Sequence, residues 1–175
     1  MKKFKFGFTL IELLIVIALL GALAVGLLAA LDPFEQLKKG TDTGVRNTVS
    51  EVHGAIIRYY GIKNYMPWCT DADTCTDISA GITLDAGSAP GTAMLAAIVG
   101  TGELKTDFSA LAGEGTLGKI YVTGDNELAT VSVCYAPKAK SFMSDANTKY
   151  SSLGVTPNGA CPTGLVADLC YWCVK

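Results

Sequence analysis

This chain of 175 residues has a single histidine, no basic cluster beyond its first few residues and no recognisable catalytic motif. Its one histidine, His53, has no second histidine and no serine or cysteine arrangement beside it, so we expect it at the boundary of a packing face. The chain has no glycine-rich phosphate loop, no pair of catalytic carboxylates and no hydrolase serine motif. We therefore expect no cofactor and no enzyme activity.

Positive charge is scarce beyond the first few residues. Lys2, Lys3 and Lys5 precede a long apolar run, and no acid does. From Phe8 onward 11 lysines and arginines face 16 acids, a net charge of −5. Because this part has no basic cluster, we do not expect nucleic acid as its main ligand. Lysines ahead of an apolar run predict a cytoplasmic start and an exported remainder.

The apolar run is the largest single feature of the sequence. Residues 8–31 carry one charge, Glu12, and one hydroxyl, Thr9. As a helix they would rise about 36 Å, enough to cross a hydrocarbon core of about 30 Å. A secretory signal peptide, cut at Ala22-Leu23-Ala24, and a plain uncleaved anchor are the alternatives. The run is longer than the apolar core of a signal peptide, about 7–15 residues, and a carboxylate near its start weakens such a signal.

The stretch GFTLIELLIVIAL closely resembles the processing motif of the type IV pilin and pseudopilin family. It combines a glycine, the following phenylalanine and a glutamate at a fixed offset before a long apolar helix. The resemblance implies that a prepilin peptidase cuts after Gly7 and methylates the new amino group of Phe8. Residues 1–7 would then be a leader peptide and 8–31 a transmembrane and assembly helix. Residues 32–175 would form an exported head that includes the amphipathic second half of the helix.

Glu12 places a carboxylate in apolar surroundings, which costs about 2.5–3.5 kcal/mol in a bilayer on insertion scales. No cation lies within helix reach of it on its own apolar segment. After cleavage, the nearest suitable cation would be the amino group of Phe8 on a neighbouring copy. Such a pair would fix the axial register, because a copy shifted by one turn leaves a buried charge unpaired. The alternative is a carboxylate that becomes protonated and tolerates its site.

Gly21 corresponds to the helix-weakening glycine of the family. Glycine lowers helix stability by about 1 kcal/mol relative to alanine. In related filaments the stretch after this glycine is extended in some cases. The family often has a proline soon afterwards, whereas this chain has Ala29 there and its first proline is Pro33.

The remainder of the chain predicts an α+β, type IV pilin-like head. Asp32 and Pro33 suit a helix start, and an apolar stripe at helical spacing follows. The stripe consists of Val45, Val49, Val52, Ile56 and Tyr59. The helix should end near Gly61 or Asn64, with a bend or fraying near residues 40–44, where two glycines lie. We expect its second half to pack on a small antiparallel sheet with disulfide-held loops.

The sheet should contain three or four strands. Residues 118–124 and 128–136 predict a hairpin closed by residues 124–127, and residues 169–175 predict a last strand. A short helix is expected at residues 92–99, and loops at 79–92 and 137–168.

The six cysteines all lie in the part expected outside the cytoplasm, where an even number indicates disulfides. Six cysteines allow 15 pairings. Our predicted pairing is Cys69–Cys75, Cys134–Cys173 and Cys161–Cys170. The first pair flanks a short polar loop. Cys170 and Cys173 have the spacing of a redox or zinc motif, but on a strand they face opposite sides, so each should have a different partner.

Two further patterns resemble binding sites. Asp71, Asp73 and Asp77 have the spacing of a calcium loop but lack the glycine and the glutamate of an EF-hand, so no metal is expected. An aromatic set could form a stacking or adhesive surface, but core and loop packing is the simpler interpretation. Its members are Tyr59, Tyr60, Tyr65, Tyr171 and Trp172.

Together these observations predict the structural subunit of a type IV pilus or related filament, assembled through helix packing after leader cleavage. The expected partners are other copies of the chain, a prepilin peptidase, the pilus or secretion assembly platform, and the membrane. The protein would be a single-pass membrane protein with its head outside the cytoplasm, then part of a surface, periplasmic or extracellular filament. The alternatives are a pseudopilin of a type II secretion system and a membrane-anchored binding module that does not polymerise.

Overall fold

The protein is described here by a computed structural model, which covers residues 7–30, 32–156 and 170–175. Two compact units divide the chain, Met1–Leu37 and Lys38–Lys175. The helices are α1 Leu10–Ala30, α2 Pro33–Lys63, α3 Ala89–Gly100, α4 Phe108–Ala112, α5 Glu114–Leu117 and α6 Lys140–Met143. The strands are β1 Ile82–Thr83, β2 Ile120–Asp125, β3 Thr130–Tyr135, β4 Thr148–Tyr150 and β5 Tyr171–Val174.

Both long helices begin where the sequence predicts a start. α1 opens directly after Thr9, and α2 opens at Pro33, which needs no hydrogen-bond partner for its nitrogen. The Asp32 carboxylate caps α2 by accepting a hydrogen bond from the Glu35 backbone N–H at 3.2 Å.

The strands form one antiparallel sheet in the order β1-β2-β3-β5-β4. The predicted class, α+β with an apolar N-terminal helix, a small antiparallel sheet and disulfides, is confirmed. Within the described residues the sheet already has five strands, so the prediction of three or four was wrong. The unexpected strands β1 and β4 lie in stretches expected to be loops. They are two and three residues long, too short to show an alternating pattern.

The predicted stripe on α2 forms the centre of the core. All five of its members are at most 5% exposed. The helix ends at Lys63, and Asn64 adopts the left-handed conformation, with φ of 60°, that commonly terminates helices.

The bend or fraying expected near residues 40–44 does not occur, because α2 is continuous from Pro33 to Lys63. Packing of this part of α2 against the head outweighs the low helix propensity of its glycines. Asp42 and Val45 in this part of the helix are buried, at 2% and 5% exposure.

The loop after β3 is fastened to α2 by two charged side chains. Asp42 Oδ2 accepts hydrogen bonds from the backbone N–H groups of Lys138 and Ala139, at 2.8 and 2.6 Å. Arg46 forms a salt bridge with Asp145 at 2.6 Å, and its guanidinium lies 4.2 Å from the centre of the Trp172 ring. These contacts order a segment whose composition alone predicted a loop.

His53 lies half-buried on α2, where burial lowers the pKa of its imidazole below the ordinary value. Among the described residues no group hydrogen-bonds its buried Nε2 atom. The folded protein therefore favours neutral His53. Its contribution to stability is complete above the unfolded-state pKa of about 6.5 and is lost as the pH falls from there through the folded-state pKa.

We expect the melting temperature of the full chain in detergent to fall below pH 6.5 more steeply in the wild type than in His53→Gln. The glutamine does not titrate, so the variant keeps only the acid sensitivity of the carboxylates. Near-ultraviolet circular dichroism at pH 7.5, 6.5, 6.0 and 5.5 measures the difference. Parallel curves for the two proteins would contradict the assignment to His53.

Candidate functional site

The surface of α1 is apolar on every side. Its large apolar side chains from Leu10 to Leu28 are 46–82% exposed. The described residues contain one helix long and apolar enough to cross a membrane, Leu10–Leu28, near the N-terminus. A soluble protein rarely leaves such a continuous apolar surface uncovered. This helix therefore needs lipid or other protein around it.

Glu12 is the only ionisable side chain between residues 7 and 30. It lies in the first turn of α1 and is exposed with its neighbours. The N-terminus of a helix carries a partial positive charge, so this position favours a carboxylate.

Thr9 and Glu12 form a reciprocal cap at the start of α1. The Glu12 Oε2 atom accepts hydrogen bonds from the Thr9 backbone N–H at 2.8 Å and from the Thr9 hydroxyl at 2.6 Å. The Glu12 backbone N–H donates to Thr9 Oγ1 at 3.3 Å. This is a capping box, in which the residue before the helix and the third residue within it satisfy each other's free groups.

The capping box was missed by the sequence analysis, although the pattern Thr-x-x-Glu ahead of an apolar run indicates it. Both bonds from Thr9 end on one oxygen of Glu12. The second oxygen, Oε1, is thus geometrically able to accept a hydrogen bond from another group while the cap is intact.

Gly7 and Phe8 lie just before the helix, and both are exposed, Phe8 at 79%. Gly21 lies within α1, and a Cβ atom placed on it would meet nothing within 4 Å. Its lack of a side chain is therefore not required by packing within this copy. Residues 1–6, which carry the predicted leader lysines, lie outside the described residues.

Two disulfides lie wholly within the described part of the head. They join Cys69 to Cys75 and Cys134 to Cys173, the same two pairs that the sequence analysis named. Cys134 and Cys173 face each other in the register of β3 and β5. Cys173 thus has its partner across the sheet, as its position on a strand indicated. The third predicted pair involves Cys161, which lies outside the described residues.

The other candidate groups have structural roles where the structure describes them. Asp71 Oδ1 accepts from the backbone N–H groups of Asp73 and Thr74 and so closes the disulfide loop. The described residues include no cluster of three or more histidines, cysteines or acids that could hold a metal ion. Of the aromatic set, Tyr59 and Trp172 are buried, and Tyr60 and Tyr65 pack against the core. The prediction that most of these rings serve packing is confirmed.

Comparison with known families gives one match, and it falls on the segment that carries Glu12. The family described as the prokaryotic N-terminal methylation motif matches residues 2–28. This motif is characteristic of type IV pilin and pseudopilin prepilins, which are processed by a prepilin peptidase and assemble into filaments. Comparison with curated proteins and with solved structures gave no significant match. The chain thus carries the motif characteristic of type IV pilin and pseudopilin prepilins at residues 2–28, ahead of a head with an α+β, type IV pilin-like fold and disulfides.

Proposed function

We propose that this protein is the structural subunit of a type IV pilus or a related filament, assembled by packing of α1 against α1 of other copies. The observation that carries the proposal is α1 itself, which is exposed and apolar around its whole circumference, with one carboxylate in its first turn. An anchor alone needs the apolar surface and a capped helix start, and an uncharged glutamine would supply the cap as well as Glu12 does. The role proposed is structural rather than enzymatic.

Assembly begins with removal of residues 1–7 as a leader and methylation of the amino group of Phe8. Cleavage converts an internal peptide nitrogen, which carries no charge, into a cation at the start of α1. The new cation lies close in sequence to Glu12, but Glu12 already caps its own helix through Thr9. The free Oε1 atom of Glu12 is then available to the Phe8 amine of an adjacent copy.

Two energetic terms support ordered packing. Once a copy leaves the membrane, packing of α1 against other copies keeps its apolar side chains out of water. This is worth about 1.5–3 kcal/mol for each large side chain and does not depend on register. The Glu12–Phe8 pair supplies register, since any displaced copy leaves a desolvated charge without its partner. Residues 8–31 thus form the filament core, with residues 32–175 outside it.

A pseudopilin of a type II secretion system is the second candidate, because pilin and pseudopilin prepilins share the motif matched by residues 2–28. The two differ in where the filament lies, on the cell surface or in the periplasm. Localisation of the head by immunogold labelling of intact and permeabilised cells separates them.

The mass of the mature protein tests the proposal. We expect the purified protein to begin at Phe8 and to carry one methyl group on its amino nitrogen. Electron microscopy of the same preparation should show filaments that contain the chain. A start near Asp32 or at Val25 would instead indicate ordinary secretion, and an intact Met1 in a protein without filaments would indicate a simple anchor.

A further inference from the structure

A groove of about 500 Å³ lies between α2 and the edge of the sheet formed by β4 and β5. Its walls are formed by Ser50, Asn147, Tyr150, Trp172, Cys173, Val174 and Lys175. The Tyr150 and Trp172 rings and the Val174 side chain share these walls about equally with polar groups. The groove therefore suits an apolar side chain that carries polar or charged neighbours.

The rim of the groove is positively charged. Lys149 and Lys175 are exposed, and their ammonium nitrogens lie 5.6 and 4.6 Å from the centre of the Tyr150 ring. Among the described residues from 136 onward the only acid is Asp145, which is paired with Arg46. An occupant of this groove should therefore be anionic around an apolar centre.

The tip of the β2–β3 hairpin has this composition. Leu128 is 72% exposed there, and Asp125 and Glu127 stand on its N-terminal side. The Leu128 backbone N–H donates to Asp125 Oδ1 at 2.8 Å, which fixes the turn. The apolar side chain is thus presented on an ordered turn that carries two carboxylates.

The tip is also tied to the rest of the head. Asn126 donates its backbone N–H to Asp77 Oδ1 at 2.8 Å and accepts a hydrogen bond from the Met66 backbone N–H on its Oδ1 at 2.9 Å. Asp77 thus adds a third carboxylate beside Asn126, two residues before Leu128. Such pre-organisation lowers the entropy cost of docking.

The tip does not fill the groove of its own copy. The register of the sheet places Val133 opposite Val174, and Leu128 precedes Val133 by five residues, about 15 Å along an extended chain. The occupant that fits the groove is therefore the tip of a second copy. A contact between two different surfaces of the same protein repeats from copy to copy and builds an open filament when its rotation does not close a ring.

We propose that Leu128 of one copy docks into the β4–β5 groove of the next, with Glu127 and Asp125 facing Lys149 and Lys175. The proposal rests on the proposed filament function and adds a contact between heads to the packing of α1. The contact also gives the row of heads a direction along the filament that does not depend on the Glu12–Phe8 pair.

Site-specific photo-crosslinking tests the contact in the assembled protein. With p-benzoylphenylalanine in place of Leu128 in the full chain, we expect adducts whose second peptide contains residues 148–150 or 171–175. The same probe in place of Leu111, an equally exposed leucine at 78%, should not label these peptides. Filaments that start at Phe8 but give no adduct in these peptides overturn the docking and leave the proposed function intact.

Charge exchange tests it without filaments, in the full chain in detergent micelles. Glu127→Lys and Lys149→Glu should each weaken self-association, measured by sedimentation, and the double variant should recover at least half of the loss. Leu128→Ala should weaken it about tenfold or more, and Leu111→Ala by less than about twofold. Failure of the double variant to recover, or equal effects at Leu128 and Leu111, overturns the docking whatever the mature N-terminus is.

Discussion

Filament yield is expected to fall at least about a hundredfold in Glu12→Ala, while leader removal and membrane insertion stay normal. The apolar surface of α1 is unchanged in this variant, so insertion has no reason to fail. Without the carboxylate, the Phe8 amine of the adjacent copy is buried unpaired. Leaving one member of a buried ion pair without its partner costs about 3–5 kcal/mol, which corresponds to a factor of about 10² to 4 × 10³.

Glu12→Gln separates the charge from the cap. Glutamine serves in a capping box as glutamate does, so its side-chain oxygen retains the Thr9 bonds while its charge is gone. We expect this variant to start α1 normally and still to lose assembly. Thr9→Val keeps the charge and loses the side-chain cap, which costs about 1 kcal/mol, so its yield should fall only about fivefold.

The measurements are the mass of the mature N-terminus, the membrane fraction and the filaments sheared from cells. Wild-type yield from Glu12→Gln would show that the cap, rather than the charge, is what assembly requires. Wild-type yield from Glu12→Ala would contradict both roles.

Local patterns explain which parts of this fold the sequence predicts. The stripe on α2 and the β2–β3 hairpin are long enough to show a period, and both occur where expected. Strands β1 and β4 are too short to show a period. Their extended conformation is set by pairing with the neighbouring strands β2 and β5. The cap of α1 could have been predicted, because Thr9-x-x-Glu12 matches the capping-box pattern once the start of the helix is known.

Long-range contacts explain what the sequence does not predict. In the sequence, Asp42 is one polar residue among glycines and threonines, and the composition of this stretch predicted a weak helix. Its hydrogen-bond donors lie 96 and 97 residues later in the chain. No pattern within the helix indicates such partners. The groove of the β4–β5 edge likewise brings Ser50 together with residues about a hundred positions away.

We expect the free energy of unfolding of the head to fall by about 3–5 kcal/mol in Asp42→Ala. Each hydrogen bond to a charged acceptor contributes about 1.5–3 kcal/mol, and this carboxylate accepts two. The alanine leaves the Ala139 N–H without an acceptor in a buried position. Asp42→Asn keeps an acceptor oxygen and removes the charge, so it should lose about half as much.

Urea unfolding of the full chain in detergent, followed by tryptophan fluorescence, measures both variants. Trp172 is a suitable reporter because Arg46, one turn along α2 from Asp42, lies over its ring. Thr43→Ala is the matched control on the exposed side of the same turn, where the hydroxyl bonds only the Lys39 carbonyl within the helix. Its change should stay within about 0.5 kcal/mol. Equal losses of unfolding free energy in Asp42→Ala and Thr43→Ala would mean that helix propensity stabilises this part of α2, rather than the hydrogen bonds to the distant loop.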